Sequence, residues 1–476
     1  MTTWLPDLNS GDGPLYVRLA GRIEDAIEKG ALPVGSKLPP QRNLAYDLGV
    51  TVGTVSRAYS IVRERGLVSG EVGRGTYVTG PNKSGTAHDE ADSIIFTPDA
   101  NTRIADRYAA GEMVRFDASA APLVPIADTL ERLTAEIIED SPLQISDYIR
   151  SVSPNWQSAG EAWMSSRHWR PERENIAPVQ GVHSGIVAII AAMTVPGDKI
   201  AVEELSYANV PRAAQMIGRR PLSVPMDQYG AIPAALEHIC AQQHPRLVFL
   251  MPGLQNPTLA VMPEERRREI AAIARRYNLL IIEDNVYGCL HEDDAPPLAS
   301  MAPELTFHVS GMSKSVAAGL RAAWIACPPH TAGRVLTATR LLTGGKTFLM
   351  TELAARMVLS GEADAIKQRV AAEIAERVAM VRDAFDGYEF NSSETAPFIW
   401  LKLPEPWLSS TFKTAAEREK VLIDTEDEFK TGRSERMFHR VRIAFSNPVN
   451  RDTVRSALAR LRALLESGAG AYESYD

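Results

Sequence analysis

The chain has 476 residues, 45% of them hydrophobic and 23% charged, with a formal net charge of −8; that is an ordinary globular composition at a length that favours two or three domains over one. The opening MTTWLPDLNSGDG has no basic region followed by an apolar run, and the apolar stretches at 187–192 and 247–251 are too short to span a bilayer, so neither a secretory signal nor a membrane helix is expected. Three widely spaced cysteines, Cys240, Cys289 and Cys327, exclude a disulfide framework or a thiolate zinc site and fit a reducing cytoplasm.

The acidic total argues against a nucleic-acid binder, but it is unevenly spread. Residues 1–80 hold nine Lys/Arg and eight Asp/Glu, a near-neutral head on an acidic body that is compatible with local DNA contact. Within that head, Leu15, Leu19, Ile23, Ala26 and Ile27 recur at helical spacing over 14–29, and Gly30 stops the helix. A short helix fits 40–48, closed by Gly49. Thr51 is placed to cap another, with Val55, Tyr59 and Val62 on its apolar face and Gly66 at its end. Residues 67–69 and 76–78 read as short strands around a glycine-rich turn. Three helices and a hairpin make a winged helix-turn-helix over 1–80. Residues 81–114, rich in Gly, Pro, Ser, Thr and Asp, read as a linker.

From 115 to 476, helical stretches alternate with short apolar runs, most clearly 247–251 and 279–282. That alternation predicts an α/β body with a mostly parallel central sheet and a ligand beyond the carboxyl ends of its strands. Three polar segments follow in order: Q-N-P-T at 255–258, E-D-N-V-Y-G at 283–288 and S-G-M-S-K-S-V-A-A-G-L-R at 310–321. Singly they read as a turn, a helix cap and a solvated loop. Together they suit pyridoxal 5'-phosphate. Lys314 supplies the amine for a Schiff base, Asp284 a buried carboxylate for the pyridine nitrogen, and Asn256 and Tyr287 donors for the phenolate oxygen. Ser310, Ser313 and Arg321 offer hydroxyls and a guanidinium to the phosphate. Backbone N–H groups would come from Val182, His183 and Ser184, where a glycine turn opens a helix.

On these motifs the body resembles the fold-type I aminotransferases, in the branch of the aromatic and aminoadipate enzymes. The resemblance implies Lys314 as the catalytic lysine and assigns Asp284, Asn256, Tyr287 and Arg321 as above. V-R-I-A-F at 441–445 is similar to the strand whose arginine grips an amino-acid carboxylate, which gives that role to Arg442; Tyr207 matches an aromatic residue near the site. Departures from the pattern are Leu259 for the glycine of Q-N-P-T-G, Ala318 for the proline of P-G-L-R, and Gly311 where a phosphate-binding Ser or Thr is usual. The stretch N-W-Q-S-A-G-E-A-W-M at 155–164 lacks the usual Leu-Arg pair.

The head is similar to the GntR-type winged helix through G-A-L-P-V-G-S-K-L-P-P-Q-R-N-L-A at 30–45, T-V-S-R-A-Y at 54–59 and G-R-G-T-Y-V at 73–78. That likeness implies Arg42 on backbone phosphate, Thr51, Thr54 and Arg57 on the recognition helix, and Arg74 and Gly75 in the wing. Leu44, Ala45, Leu48, Val55 and Tyr59 are expected in the core. The fusion of the two parts resembles the MocR/GabR family of bacterial regulators. It implies a homodimer that binds a double-stranded DNA operator and senses a small amino compound by aldimine exchange at Lys314, with at most residual aminotransferase activity. The alternative is an aminotransferase with an accessory or vestigial DNA-binding head. Effector identity and the direction of regulation stay open.

Overall fold

A computed structural model describes residues 4–8, 14–64, 67–71, 75–78, 113–149, 151–291, 295–432, 436–448 and 450–474. The chain divides into two units, Met1–Phe96 and Thr97–Asp476.

In the first unit, α1 (Leu15–Glu28), α2 (Gln41–Asp47) and α3 (Val52–Glu64) precede an antiparallel hairpin of β1 (Val68–Glu71) and β2 (Gly75–Val78), with Val68 opposite Val78. The winged helix-turn-helix expectation therefore has its elements. Leu19, Ile23, Ala26 and Ile27 of α1 are buried against Leu44, Ala45, Val55, Ala58, Tyr59 and Val62. Leu15, on the same face but at the first position of the helix, is 41% exposed. Leu48 is only partly buried at the edge of the same cluster. Gly49 follows α2 at φ +66°, a left-handed conformation that glycine adopts without a Cβ penalty. The Thr51 Oγ1 accepts the Thr54 N–H at 3.2 Å, the expected cap of α3. Gly66, the wing tip and nearly all of the expected linker lie outside the described residues. At the linker's far end, the short strand Val114–Arg115 pairs in parallel with Val421–Leu422.

In the second unit, the described residues form a seven-stranded sheet in the order β3-β9-β8-β7-β6-β4-β5. Its strands are β3 (Ile176–Val179), β4 (Lys199–Glu203), β5 (Arg220–Val224), β6 (Leu247–Leu250), β7 (Leu280–Asp284), β8 (Thr306–Gly311) and β9 (Ala323–Ala326). Neighbours pair in parallel from β5 to β8, and β9 is antiparallel to both of its neighbours. The sheet is mixed and mostly parallel. Strand alternation divides its side chains between two cores. Leu247, Phe249, Ile282, Phe307 and Val309 face helix α5 (Val182–Met193), while Val248, Leu250 and Ile281 face Ile270, Ala274 and Leu236. Each of these large side chains, fully buried, contributes about 1.5–3 kcal/mol.

Helix α4 (Pro154–Met164) is the segment where the aminotransferase pattern is weakest, and its residues serve packing. A Cβ on Gly160 would stand 2.5 Å from Trp324 Cδ1, so helix and strand approach through the missing side chain. Trp324 Nε1 donates to the Trp156 carbonyl at 2.9 Å, and Trp156 Nε1 to Glu352 Oε2 at 2.7 Å. A smaller sheet near the C-terminus is built from β10 (Phe390–Asn391), β11 (Phe398–Lys402), β12 (Asp424–Thr425) and β13 (Arg440–Ala444), ordered β10-β11-β13-β12. Among the described residues, no helix is long and apolar enough to cross a membrane.

Candidate cofactor and effector site

The carboxyl ends of β4, β6, β7 and β8 deliver Tyr207, Asn256, Asp284, Tyr287, Ser313 and Lys314 to one cavity of about 460 Å³, closed on another side by Val182, His183 and Arg321. Each segment is locally held. Gln255 Nε2 donates to the Leu205 carbonyl at 2.6 Å, while its Oε1 accepts from the N–H and the hydroxyl of Thr258, which fixes the turn carrying Asn256. Leu259 closes that turn at φ +62°, a conformation that L side chains rarely adopt and glycine adopts freely. Asp284 ends β7 and accepts the Val286 N–H at 2.9 Å. Its neighbour Glu283 points to the opposite face of the sheet, where it accepts the N–H groups of Leu298 and Ala299 and pairs with His308 Nδ1 at 2.9 Å.

Lys314 reaches back to the segment after the strand Val114–Arg115. Its Nζ donates to the Ser119 carbonyl and lies 3.3 Å from the Ser119 Oγ, which is itself 2.6 Å from the Tyr287 hydroxyl. Burial lowers the Lys314 ammonium to about 8, with Arg442 adding repulsion and Asp284 opposing it. Burial raises the Asp284 carboxyl to about 6, against the Val286 N–H and the Lys314 charge. Tyr287 and Tyr207 are likewise pushed up by burial. Around the first turn of α5, Gly181 sits at φ +91°, and a Cβ there would lie 3.5 Å from Arg321 Cζ. The first N–H groups of a helix have no intrahelical acceptor, so this end is suited to an anion. His183 meets Tyr207 edge-on at 5.8 Å; its Nδ1 is buried without a partner, and its imidazole is lowered by burial and by Arg321.

One residue expected near the phosphate is placed differently. Ser310 does not line the Lys314 cavity; it lines another, with Glu283 and His308, because strand alternation turns it to that face. Ser184 turns its hydroxyl back to the Gln180 and Gly181 carbonyls at 2.6 and 2.9 Å, leaving only its N–H for a ligand. Gly311 has no room for the usual Ser or Thr: a Cβ would lie 2.8 Å from Val182 Cγ2 and 2.9 Å from Ala323 Cβ.

Arg442 lines the cavity and is buried, but its fork is engaged. Nε and Nη2 donate to Asp424 Oδ2 at 3.0 and 2.5 Å, and Nη1 donates to Asn256 Oδ1 at 2.9 Å. Asp424 stands directly opposite on β12. Burial pushes the Asp424 carboxyl up, its hydrogen bond with Glu428 pushes it further up, and Arg442 pulls against both. Asp424, Asp117 and Ser119 were not singled out from sequence, since they lie in segments with no motif of their own. Only the cross-strand register and the return of residues 117–120 to the site reveal them.

In the head, Thr51 and Thr54 hydroxyls lie 3.0 Å apart, so both belong to the cap, and the Arg57 guanidinium lies 5.4 Å over the Tyr16 ring. Gly75 starts β2. The Arg42 side chain and Arg74 fall outside the described residues.

Residues 129–461 match the family of class I and II aminotransferases, and residues 15–78 match the gntR family of bacterial regulatory proteins. The chain is 29% identical to the HTH-type transcriptional regulator YdeF of Bacillus subtilis, over 98% of its own length and 97% of that protein. It is 24% identical to the pyridoxine biosynthesis regulator PdxR of Corynebacterium glutamicum, over 77% and 78% of the two chains. Among solved structures, an archaeal alanine:glyoxylate aminotransferase is similar with a TM-score of 0.70 at 23% identity, covering 78% of this chain and 95% of that one.

Proposed function

The chain belongs to the class I and II aminotransferase family and carries a gntR-family regulatory domain ahead of it, and from that premise we propose a pyridoxal-phosphate-dependent transcriptional regulator that binds DNA and senses an amino compound. The observation that carries this reading is the meeting of Lys314 and Asp284 in one cavity, in a chain whose first 78 residues include a winged helix. The residues present fit the cofactor. Lys314 would hold it, and Asp284 would face its ring nitrogen. Asn256 turns its Oδ1 to Arg442, which leaves its amide N–H groups to donate, and the Tyr287 hydroxyl, steadied by Ser119, would join them at the phenolate oxygen. Arg321, Ser313 and the N–H groups of Val182, His183 and Ser184 would take the phosphate. Bound pyridoxal phosphate supplies an electrophilic carbon for primary amines and an electron-withdrawing ring. Lys314, partly neutral near pH 7, can accept or release a proton beside an incoming amine. Tyr207 would pack against the ligand.

We extend the reading to a cytoplasmic homodimer with the head at 1–80, the linker at 81–114 and the body at 115–476, in which the two heads take two half-sites of an operator. Leu143, Tyr148 and Leu341, at 79%, 84% and 79% exposure, are apolar surface suited to a second copy. Purified protein should show the visible absorbance of a lysine-bound pyridoxal cofactor, and Lys314→Ala should abolish it; a colourless wild type overturns the cofactor reading. DNA affinity that no primary amine alters would overturn the sensing role. Rapid multiple turnover with a keto acid would favour an aminotransferase instead.

A further inference from the structure

An arginine fork can take a ligand carboxylate only along an edge whose N–H groups are free. In Arg442 no such edge remains. The edge made by Nε and Nη2 holds Asp424 Oδ2. Along the other edge, Nη1 donates to Asn256 Oδ1 at 2.9 Å and Nη2 to the Asp117 main-chain carbonyl at 3.2 Å. The faces are covered as well, with Phe429 and Phe398 centroids 4.7 and 5.4 Å from the guanidinium carbon.

Asp424 is not a loosely placed partner. It is buried, it faces Arg442 in strand register, and it is braced by Glu428, which Lys413 holds at 2.5 Å. Asp117, at the same end of the cavity, is bound by Arg115 at 2.9 and 3.0 Å. The acidic groups there are thus held by partners within the chain. The other arginines lining the cavity stand elsewhere, Arg212 on the helix Asn209–Met216 and Arg321 beside Gly181. A ligand carboxylate brought to Arg442 would have to break these hydrogen bonds and leave the buried acceptors of Asp424, Asn256 and the Asp117 carbonyl without their donor, which is costly.

We infer that Asp424 is a specificity-determining residue, a built-in carboxylate that fills the Arg442 fork, so that the effector is a primary amine with no carboxylate on the carbon bearing its nitrogen. This rests on the amine-sensing reading above and narrows its ligand class. It also departs from the resemblance-based expectation that Arg442 grips an amino-acid carboxylate.

Matched pairs test it: alanine with ethylamine, leucine with isoamylamine, and phenylalanine with phenethylamine, each titrated into the full-length cofactor-loaded protein by its visible spectrum. Responses are normalised to the same compounds reacting with free pyridoxal phosphate. In the wild type, the amine of each pair should half-saturate at a concentration at least about tenfold below its amino acid. Asp424→Ala should move that ratio about tenfold or more toward the amino acid, and Asp424→Asn should move it in the same direction while keeping the hydrogen-bonding shape. Retention of the visible band in either variant reports an intact body, and if Asp424→Ala loses it the Asn variant decides. A wild type that prefers the amino acids, or a ratio unmoved by replacing Asp424, overturns the inference. A coloured protein with that result leaves the cofactor reading standing, whereas a colourless wild type overturns both.

Discussion

Lys314 works between a buried environment that disfavours its charge and the Asp284 carboxylate that favours it, and the balance lowers its ammonium to about 8. Only the neutral amine is a nucleophile. Cofactor capture by the cofactor-free protein should therefore accelerate about tenfold per pH unit below 8 and level off above it. Stopped-flow absorbance over pH 6–9 checks this, and a flat profile would show that the amine is not titrating. Lys314 and Asp284 were legible because each stands in a segment with its own motif. Gly311 was legible only as a departure, and packing supplies its cause. Gly311→Ser should destabilise the body by about 1–3 kcal/mol through overpacking against Val182 and Ala323, read as a lower melting temperature of the cofactor-loaded protein. A neutral result would mean that β8 and α5 can part at little cost.

At the scale of elements, periodicity and caps carried most of the reading. The helices of the head, the two strands of the wing and the strands β6 and β7 follow from apolar spacing and from punctuation by glycine and proline. Thr51 is an example of a residue with two possible roles. Its hydroxyl caps α3 and meets Thr54, so Thr51→Ala should cost the head about 1 kcal/mol, seen as an earlier head transition with the visible spectrum of the body unchanged. Loss of DNA affinity without that earlier transition would make Thr51 a contact instead. Ser310 and Ser313 show where periodicity stops. The two are close in sequence, but one ends up on the far face of β8 and the other in the cavity, a difference set by where the strand ends.

At the scale of the whole molecule, the prediction is separability of the two functions combined with linkage between them. The double variant Arg42→Ala/Arg57→Ala should abolish operator binding in a mobility-shift assay while keeping the cofactor absorbance, since neither residue belongs to the body. Unchanged DNA affinity would remove both arginines from the interface. If an amine changes the affinity for DNA by some factor, DNA must change the affinity for the amine by the same factor, which calorimetry can compare directly. The pair of modules, the elements of the head, the alternation of strands and helices in the body, and the reactive lysine with its carboxylate are legible in the chain alone, because these rest on local periodicity and on motifs whose residues lie within a few positions of one another. The company those residues keep is set by the fold. Asp424 lies opposite Arg442, Ser119 lies beside Lys314, and Arg57 lies over Tyr16, and each of these pairs comes from separate segments of the chain. Cross-strand register and packing bring them together, and no local pattern encodes either.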